Sequence, residues 1–183
     1  MSDQILIDHG APTLAGIKTG SLFSVRAEDR TAFLNELRNY NRRLRAKGVC
    51  LIPLHYDNGR VLLYLYRPGR LKDDLCRKEV QEMLREKGYA CESVGKCICE
   101  LKRRLRDEGD FPHEIGLFLS YPPEDVKGFI ENSARNCKSV GTWKVYGNQE
   151  EAERTFERYK RCTKTYQECS IRGISLENLL VAT

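Results

Sequence analysis

Apolar residues recur at helical spacing over 29–47, where Phe33, Leu37, Tyr40 and Leu44 fall at i, i+4, i+7 and i+11 and Gly48 follows as a stop. Two apolar runs come next, Val49–Tyr56 and Val61–Arg67, separated by Asp57-Asn58-Gly59-Arg60. Asn-Gly favours the type I′ turn, so the pair reads as a β-hairpin. Pro53 has no amide proton to give to a ladder, which places the first of these strands at a sheet edge. Helical spacing returns over 72–87, with Cys76, Val80, Met83 and Leu84 inward and Gly88 as the stop. It returns again over 93–108, where Ser93 is the N-cap, Val94, Cys97, Ile98, Leu101 and Leu105 form the inner face, and Gly109 ends the helix. The outer face of that helix carries Lys96, Lys102, Arg103, Arg104 and Arg106.

The remaining segments are less periodic. Residues 2–9 read as a short helix behind Ser2, with a strand through Ile5-Leu6-Ile7 as the alternative. Residues 10–25 contain Gly10, Pro12, Gly16 and Gly20 and read as a long structured loop with a short strand at Leu22–Val25. Ile115–Ser120 reads as a strand, and Pro122-Pro123 opens a helix whose positive end Glu124 and Asp125 complement. Ser139–Tyr146 reads as a further strand, and strand–helix–strand implies a parallel pair with a right-handed crossover. Asn148 and Glu151 make a capping-box pattern before a long helix that buries Ala152, Phe156, Tyr159 and Tyr166. These elements predict an α/β (mixed α+β) domain over 1–183: a single small mixed sheet of about four strands, with helices mostly on one face.

Composition narrows the class. With 183 residues, 40% apolar and 31% charged, the chain can bury a core and is not a disordered sequence. No apolar run approaches the roughly 20 residues of a membrane span. The start, MSDQILIDHGAP, has neither a basic n-region nor a long apolar segment, so the expected location is the cytoplasm and no membrane is expected as a partner. In that compartment the eight cysteines are thiols or metal ligands rather than disulfides. Their spacing is poor for zinc. There is no CxxC; Cys91, Cys97 and Cys99 are the closest group, and on a helix Cys97 and Cys99 point about 200° apart. Cys162 and Cys169 share a face but lie about 10 Å apart along the axis. No metal site is expected. The net charge of +5 favours anionic partners without choosing among them.

Candidate chemistry concentrates in Phe111–Gly147, which holds a His-Glu pair, a double proline, Cys137 and the only Trp. His113 and Glu114 are the candidate acid/base residues, since a carboxylate can hold an imidazole in a useful ionisation range. Adjacent strand residues face opposite ways, however, so a hydrogen-bonded His113 at a strand entrance is the bland alternative. Gly16-Ile17-Lys18-Thr19-Gly20 fails the GxxxxGK[ST] pattern of a phosphate loop, leaving a looser anion nest around Lys18 or a structural loop. Arg67 and Arg70 flank Pro68-Gly69 and could grip a carboxylate or phosphate; solvated charge is the commoner role. Tyr64, Tyr66, Trp143 and Tyr146 would make a base-stacking platform, but strand aromatics are more often core and no RNA- or DNA-binding signature accompanies them, so nucleic acid is not expected. Cys137-Lys138 and Lys160-Arg161-Cys162 place thiols beside cations, which would raise reactivity at an exposed site.

Pro12-Thr13-Leu14-Ala15-Gly16, Tyr64-Leu65-Tyr66-Arg67-Pro68, the block Phe111–Asn132 and Trp143-Lys144-Val145-Tyr146-Gly147 together resemble an uncharacterised bacterial family, the domain-of-unknown-function family numbered 3793. The resemblance spans nearly the whole chain and implies a free-standing cytoplasmic protein of anaerobic Firmicutes. It brings no activity, ligand or cofactor. Members often carry cysteine where this chain has Gly10 and Thr142, so it implies no thiol or metal site that needs those positions. The sequence reading is therefore a binding or accessory module for an anionic ligand or an acidic protein, a redox- or iron-related role included. A flavodoxin-like carrier is one such partner. Lys18, Arg67, Arg70 and Lys144 are the ligand-binding candidates, gathered with His113 at one rim of the sheet. The alternative is an enzyme using His113 with Glu114 or a thiol.

Overall fold

The structure, a computed structural model, describes residues 1–107 and 111–182. The chain divides into two compact units, residues 1–69 with 161–183 and residues 70–160. The mixed α+β class is as expected; the arrangement of the strands differs.

In the first unit, helix α1 (Asp3–Leu14) precedes strand β1 (Gly20–Arg26), helix α2 (Arg30–Arg45) and the hairpin β2 (Cys50–Asp57) and β3 (Arg60–Tyr66). The three strands are antiparallel in the order β1-β3-β2, with Gly20 opposite Tyr66 on one side of β3 and Cys50 opposite Tyr66 on the other. The turn is of the expected kind: Asn58 and Gly59 have φ of 45° and 70°, the left-handed values that type I′ requires. β2 is an edge strand, and its register shifts between Pro53 and His55, where the ladder tolerates proline. Asn41 of α2 covers part of that edge. Its side chain donates to the Leu51 carbonyl (2.7 Å) and accepts from the Leu51 amide (3.0 Å). Asp29 caps α2 by accepting from the amides of Thr31 and Ala32, and Phe33, Leu37, Tyr40 and Leu44 are buried as the spacing predicts.

Residues 10–14 correct the loop expectation. They continue α1, and Gly10 serves close packing rather than a turn: a β-carbon there would lie 2.4 Å from Leu65 Cδ2. Pro12 sits one turn from the helix end, where its carbonyl accepts from the amides of Ile17 and Lys18.

The second unit is mostly helical. Helix α3 (Pro68–Cys76) begins in the first unit and runs into the second. It is followed by α4 (Lys78–Glu86), α5 (Val94–Arg104), α6 (Ile115–Phe118) and α7 (Pro123–Glu131). The hairpin β4 (Ser139–Val140) and β5 (Lys144–Val145) then leads to α8 (Gln149–Ile171), which gives residues 149–160 to this unit and 161–171 to the first; α9 (Leu176–Leu179) belongs to the first. The single helix expected over 72–87 is two, because Arg77 takes an extended conformation (ψ 133°) between α3 and α4. Ser93 caps α5 through the Lys96 amide; the stop expected at Gly109 lies outside the described residues.

Two strand expectations fail here. Ile115–Phe118 is one helical turn, closed by bonds from the Ile115, Gly116 and Leu117 amides to the Pro112, His113 and Glu114 carbonyls. A short apolar run buried on all sides has no periodicity to separate strand from helix, and Ile115–Leu119 is buried throughout. Ser139–Tyr146 is not one strand but two very short ones folded on each other, with Ser139 opposite Val145 and Val140 opposite Lys144. The parallel pair and crossover are therefore replaced, among the described residues, by antiparallel sheets of three and two strands.

Candidate functional site

The hairpin turn is held shut by Gly141, whose amide donates to the Trp143 carbonyl (3.0 Å). A β-carbon at Gly141 would lie 2.2 Å from the Phe156 ring, so the turn lies directly against that side chain of α8. That closeness presses Trp143 into the unit. Its ring meets Phe156 edge-on (centroids 4.5 Å) and stacks on Tyr121 (4.8 Å).

Asp125, in the first turn of α7, fixes the indole. Its Oδ2 accepts from Trp143 Nε1 at 2.6 Å, and its Oδ1 accepts from the amides of Tyr146 and Gly147, each at 2.7 Å. A buried carboxylate with three donors is satisfied on both oxygens, so it orders the wall instead of binding outward. Tyr121 donates from its hydroxyl to the Thr142 carbonyl (3.3 Å), and burial, with Tyr159 nearby, pushes that hydroxyl up to about 12. It is therefore a neutral group at ordinary pH.

Between α7 and the hairpin lies a hollow of about 340 Å³, walled by Tyr121, Phe129 and Trp143 with Ile115, Val126 and Val140 completing its apolar surface. His113 and Lys144 both line it. The exposed His113 ring meets Phe129 edge-on at 4.8 Å, and Lys144 Nζ stands 5.9 Å above the same ring. Lys144 also donates to the Ala134 carbonyl (2.7 Å). The loop carrying that carbonyl is strained, since Ser133, Ala134 and Asn136 have φ of 48°, 63° and 57°. His113 lines a second hollow as well, of about 650 Å³, with Arg103, Arg104 and Phe111.

Of the residues the sequence singled out, His113 and Lys144 come together. Glu114 is 4% exposed and turns to other partners: it accepts from the Tyr89 hydroxyl (2.9 Å), with Arg104 Nη1 at 3.7 Å. Burial and this carboxylate push the Tyr89 hydroxyl strongly up. Arg70 is exposed in α3 and is not part of the hollow's lining among the described residues.

Lys18 and Arg67 belong to the interior of the first unit, which corrects the expectation that they front an open rim. Arg67 is fully buried and donates to the carbonyls of Thr13 (2.6 Å), Leu14 (2.5 Å), Val181 (2.8 Å) and Lys47 (3.3 Å). Its charge thus sits at the negative end of α1 and ties the C-terminal segment to it. Lys18 is 7% exposed, and burial lowers its pKa from 10.5 to about 8. Tyr64, part of the supposed stacking platform, is fully buried against Tyr66 (4.7 Å). All eight cysteines are unbridged, and no group of three or more His, Cys, Asp or Glu that could hold a metal occurs among the described residues.

Sequence reasoning missed Asp125, Tyr121 and Phe129. Asp125 was legible only as a helix-dipole residue; its distance of 18 positions from Trp143 hides the bond that matters.

Fold and site together define a mixed α+β protein whose second unit encloses an aromatic hollow with a lysine and a histidine at its edge. The chain belongs to the protein family of unknown function DUF3793, whose family model matches residues 6–180. No curated protein and no solved structure matches the chain. No helix among the described residues is long and apolar enough to cross a membrane.

Proposed function

We propose that the protein is a binding module whose second unit takes a small anion with a flat apolar body. The observation that carries this reading is that Lys144 and His113 converge on the Phe129 edge of a hollow otherwise walled by Tyr121 and Trp143. Its volume, about 340 Å³, is at the small end of the range for ligand sites, about 300–1,000 Å³. Aromatic faces favour a planar body, and the ammonium favours a carboxylate, sulfonate or phosphate at one end. The chain's net charge of +5 works in the same direction.

Trp143 is the only tryptophan, so its fluorescence reports on this hollow alone. Anilinonaphthalene sulfonate, a planar anion, should quench it saturably, and small aromatic carboxylates should compete. Lys144→Met should weaken the probe about 10- to 100-fold, the equivalent of one charge-assisted hydrogen bond. His113→Ala should weaken it less, with the melting temperature unchanged. Probe binding that leaves Trp143 emission unaltered, or that is indifferent to both Lys144→Met and salt, would refute the reading.

A further inference from the structure

Two members of the closest cysteine group of the sequence, Cys91 and Cys97, are held by the turn leading into α5. Cys91 Sγ donates to the Tyr89 carbonyl at 3.6 Å, and Cys97 Sγ to the next carbonyl, that of Ala90, at 3.9 Å. Two consecutive carbonyls of one turn thus hold both sulfurs. The arrangement follows from the cap: Ser93 starts α5, and the Cys97 amide donates to the Ser93 carbonyl (3.1 Å), which sets Cys97 at the end of the helix's first turn. Cys91 is half-exposed, while Cys97 is 2% exposed. Burial, and secondarily Cys91, push the Cys97 thiol up to about 11.

We propose that Cys91 and Cys97 are a dithiol that closes to an intramolecular disulfide and reopens with the redox poise of its surroundings. The oxidant is a low-molecular-weight disulfide such as glutathione disulfide. The half-exposed Cys91 thiolate, its proton lost to solvent, attacks one sulfur of that disulfide and expels one glutathione thiolate, leaving a mixed disulfide on Cys91. Cys97, losing its proton, then attacks Cys91 Sγ and expels the second glutathione thiolate. The two protons pass to the two departing thiolates. The protein gives up two electrons, and one glutathione disulfide becomes two glutathiones. The bridge would tether the first turn of α5 to the Tyr89–Cys91 turn, whose Tyr89 side chain donates to Glu114.

The test uses the whole chain equilibrated in glutathione buffers of increasing oxidation, then alkylated and digested with trypsin without reduction. Cleavage after Lys87, Lys96 and Lys102 puts Cys91 and Cys97 in different peptides, Gly88–Lys96 and Cys97–Lys102. The expected result is those two peptides joined, two thiols lost from the pair and no glutathione retained on Cys91. Cys97→Ala should instead trap glutathione on Cys91. Exposed Cys99 shares a peptide with Cys97, so the assignment is made in Cys99→Ser and checked by fragmentation of the wild-type linked peptide. Persistent glutathionylation of Cys91 with Cys97 intact would overturn the proposal, as would a bridge from Cys91 to Cys99 or Cys76.

Discussion

Lys18→Met isolates the cost of a buried charge. In the fold Lys18 titrates at about 8 instead of 10.5, with burial as the cause. Below about pH 8 the ammonium is charged in both folded and unfolded chains, and the whole burial cost is present. Between 8 and 10.5 the unfolded chain holds a proton that the folded chain has released, so stability rises with pH by about 1.4 kcal/mol per pH unit. Above 10.5 both forms are neutral and the cost is gone. The drop from 10.5 to about 8 corresponds to about 3 kcal/mol. Methionine keeps a similar unbranched stem and never ionises, so its advantage over lysine should be largest near neutral pH and shrink by about 3 kcal/mol as pH climbs through this window. Any hydrogen bond lost with the amine subtracts the same amount at every pH. The readout is therefore the slope of the difference, not its sign at one pH. Tyrosines whose hydroxyls titrate late, such as Tyr40 and Tyr66 at about 12, act equally on both proteins and cancel. Urea unfolding followed by far-UV circular dichroism at a series of pH values gives the two curves. Parallel curves would show that Lys18 is solvated in the fold and that the burial argument is wrong.

Four further substitutions test the two units separately. Arg67→Met leaves the carbonyls of Thr13, Leu14 and Val181 without their common donor and should cost roughly 4 kcal/mol in urea unfolding, whereas Arg70→Ala, at an exposed position, should cost under about 0.5 kcal/mol. Asp125→Ala strands the Trp143 indole and the Tyr146 and Gly147 amides; a loss of about 4 kcal/mol and a red-shifted tryptophan emission are expected, and unchanged emission would mean the indole is held by packing alone. Gly141→Ala drives a methyl into the Phe156 ring and should cost about 1–3 kcal/mol while weakening probe binding, measured by thermal melting and fluorescence titration.

What was legible in the sequence was local. The Asn58-Gly59 turn, the Ser93 cap and the edge position of Pro53 each depend on residues a few places apart, and each appears in the structure as read. The mixed α+β class followed from those elements. What failed was decided by packing at long sequence separation. Gly10 and Pro12 signal a loop to any local rule, but Gly10 is required where Leu65, 55 residues later, lies against the helix. Ile115–Leu119 is apolar without alternation because it is buried on every side, a condition that strand and helix meet equally well. The basic candidates failed for a related reason. Charge alone does not distinguish Lys144, at the edge of a hollow, from Arg67, which spends its guanidinium on helix-end carbonyls.

The position of Asp125 explains how the wall of the hollow is held. A helix first turn attracts a carboxylate through the dipole, and here the same carboxylate reaches forward to two amides just after β5 and to the indole just before it. One side chain therefore joins α7, the hairpin and the approach to α8, and the aromatic wall is fixed relative to the helix that carries Phe129. Lys144 gains from this rigidity. Its stem leaves β5 next to the immobilised Trp143, and its ammonium is already aimed across Phe129 at a loop carbonyl. On the binding reading proposed above, an anion competing for that ammonium would displace one neutral acceptor and meet a lysine whose position has been set beforehand, which would lower the ordering cost of binding. The strained conformations at Ser133 and Ala134 fit the same logic, because the loop that adopts them brings the Ala134 carbonyl to the ammonium.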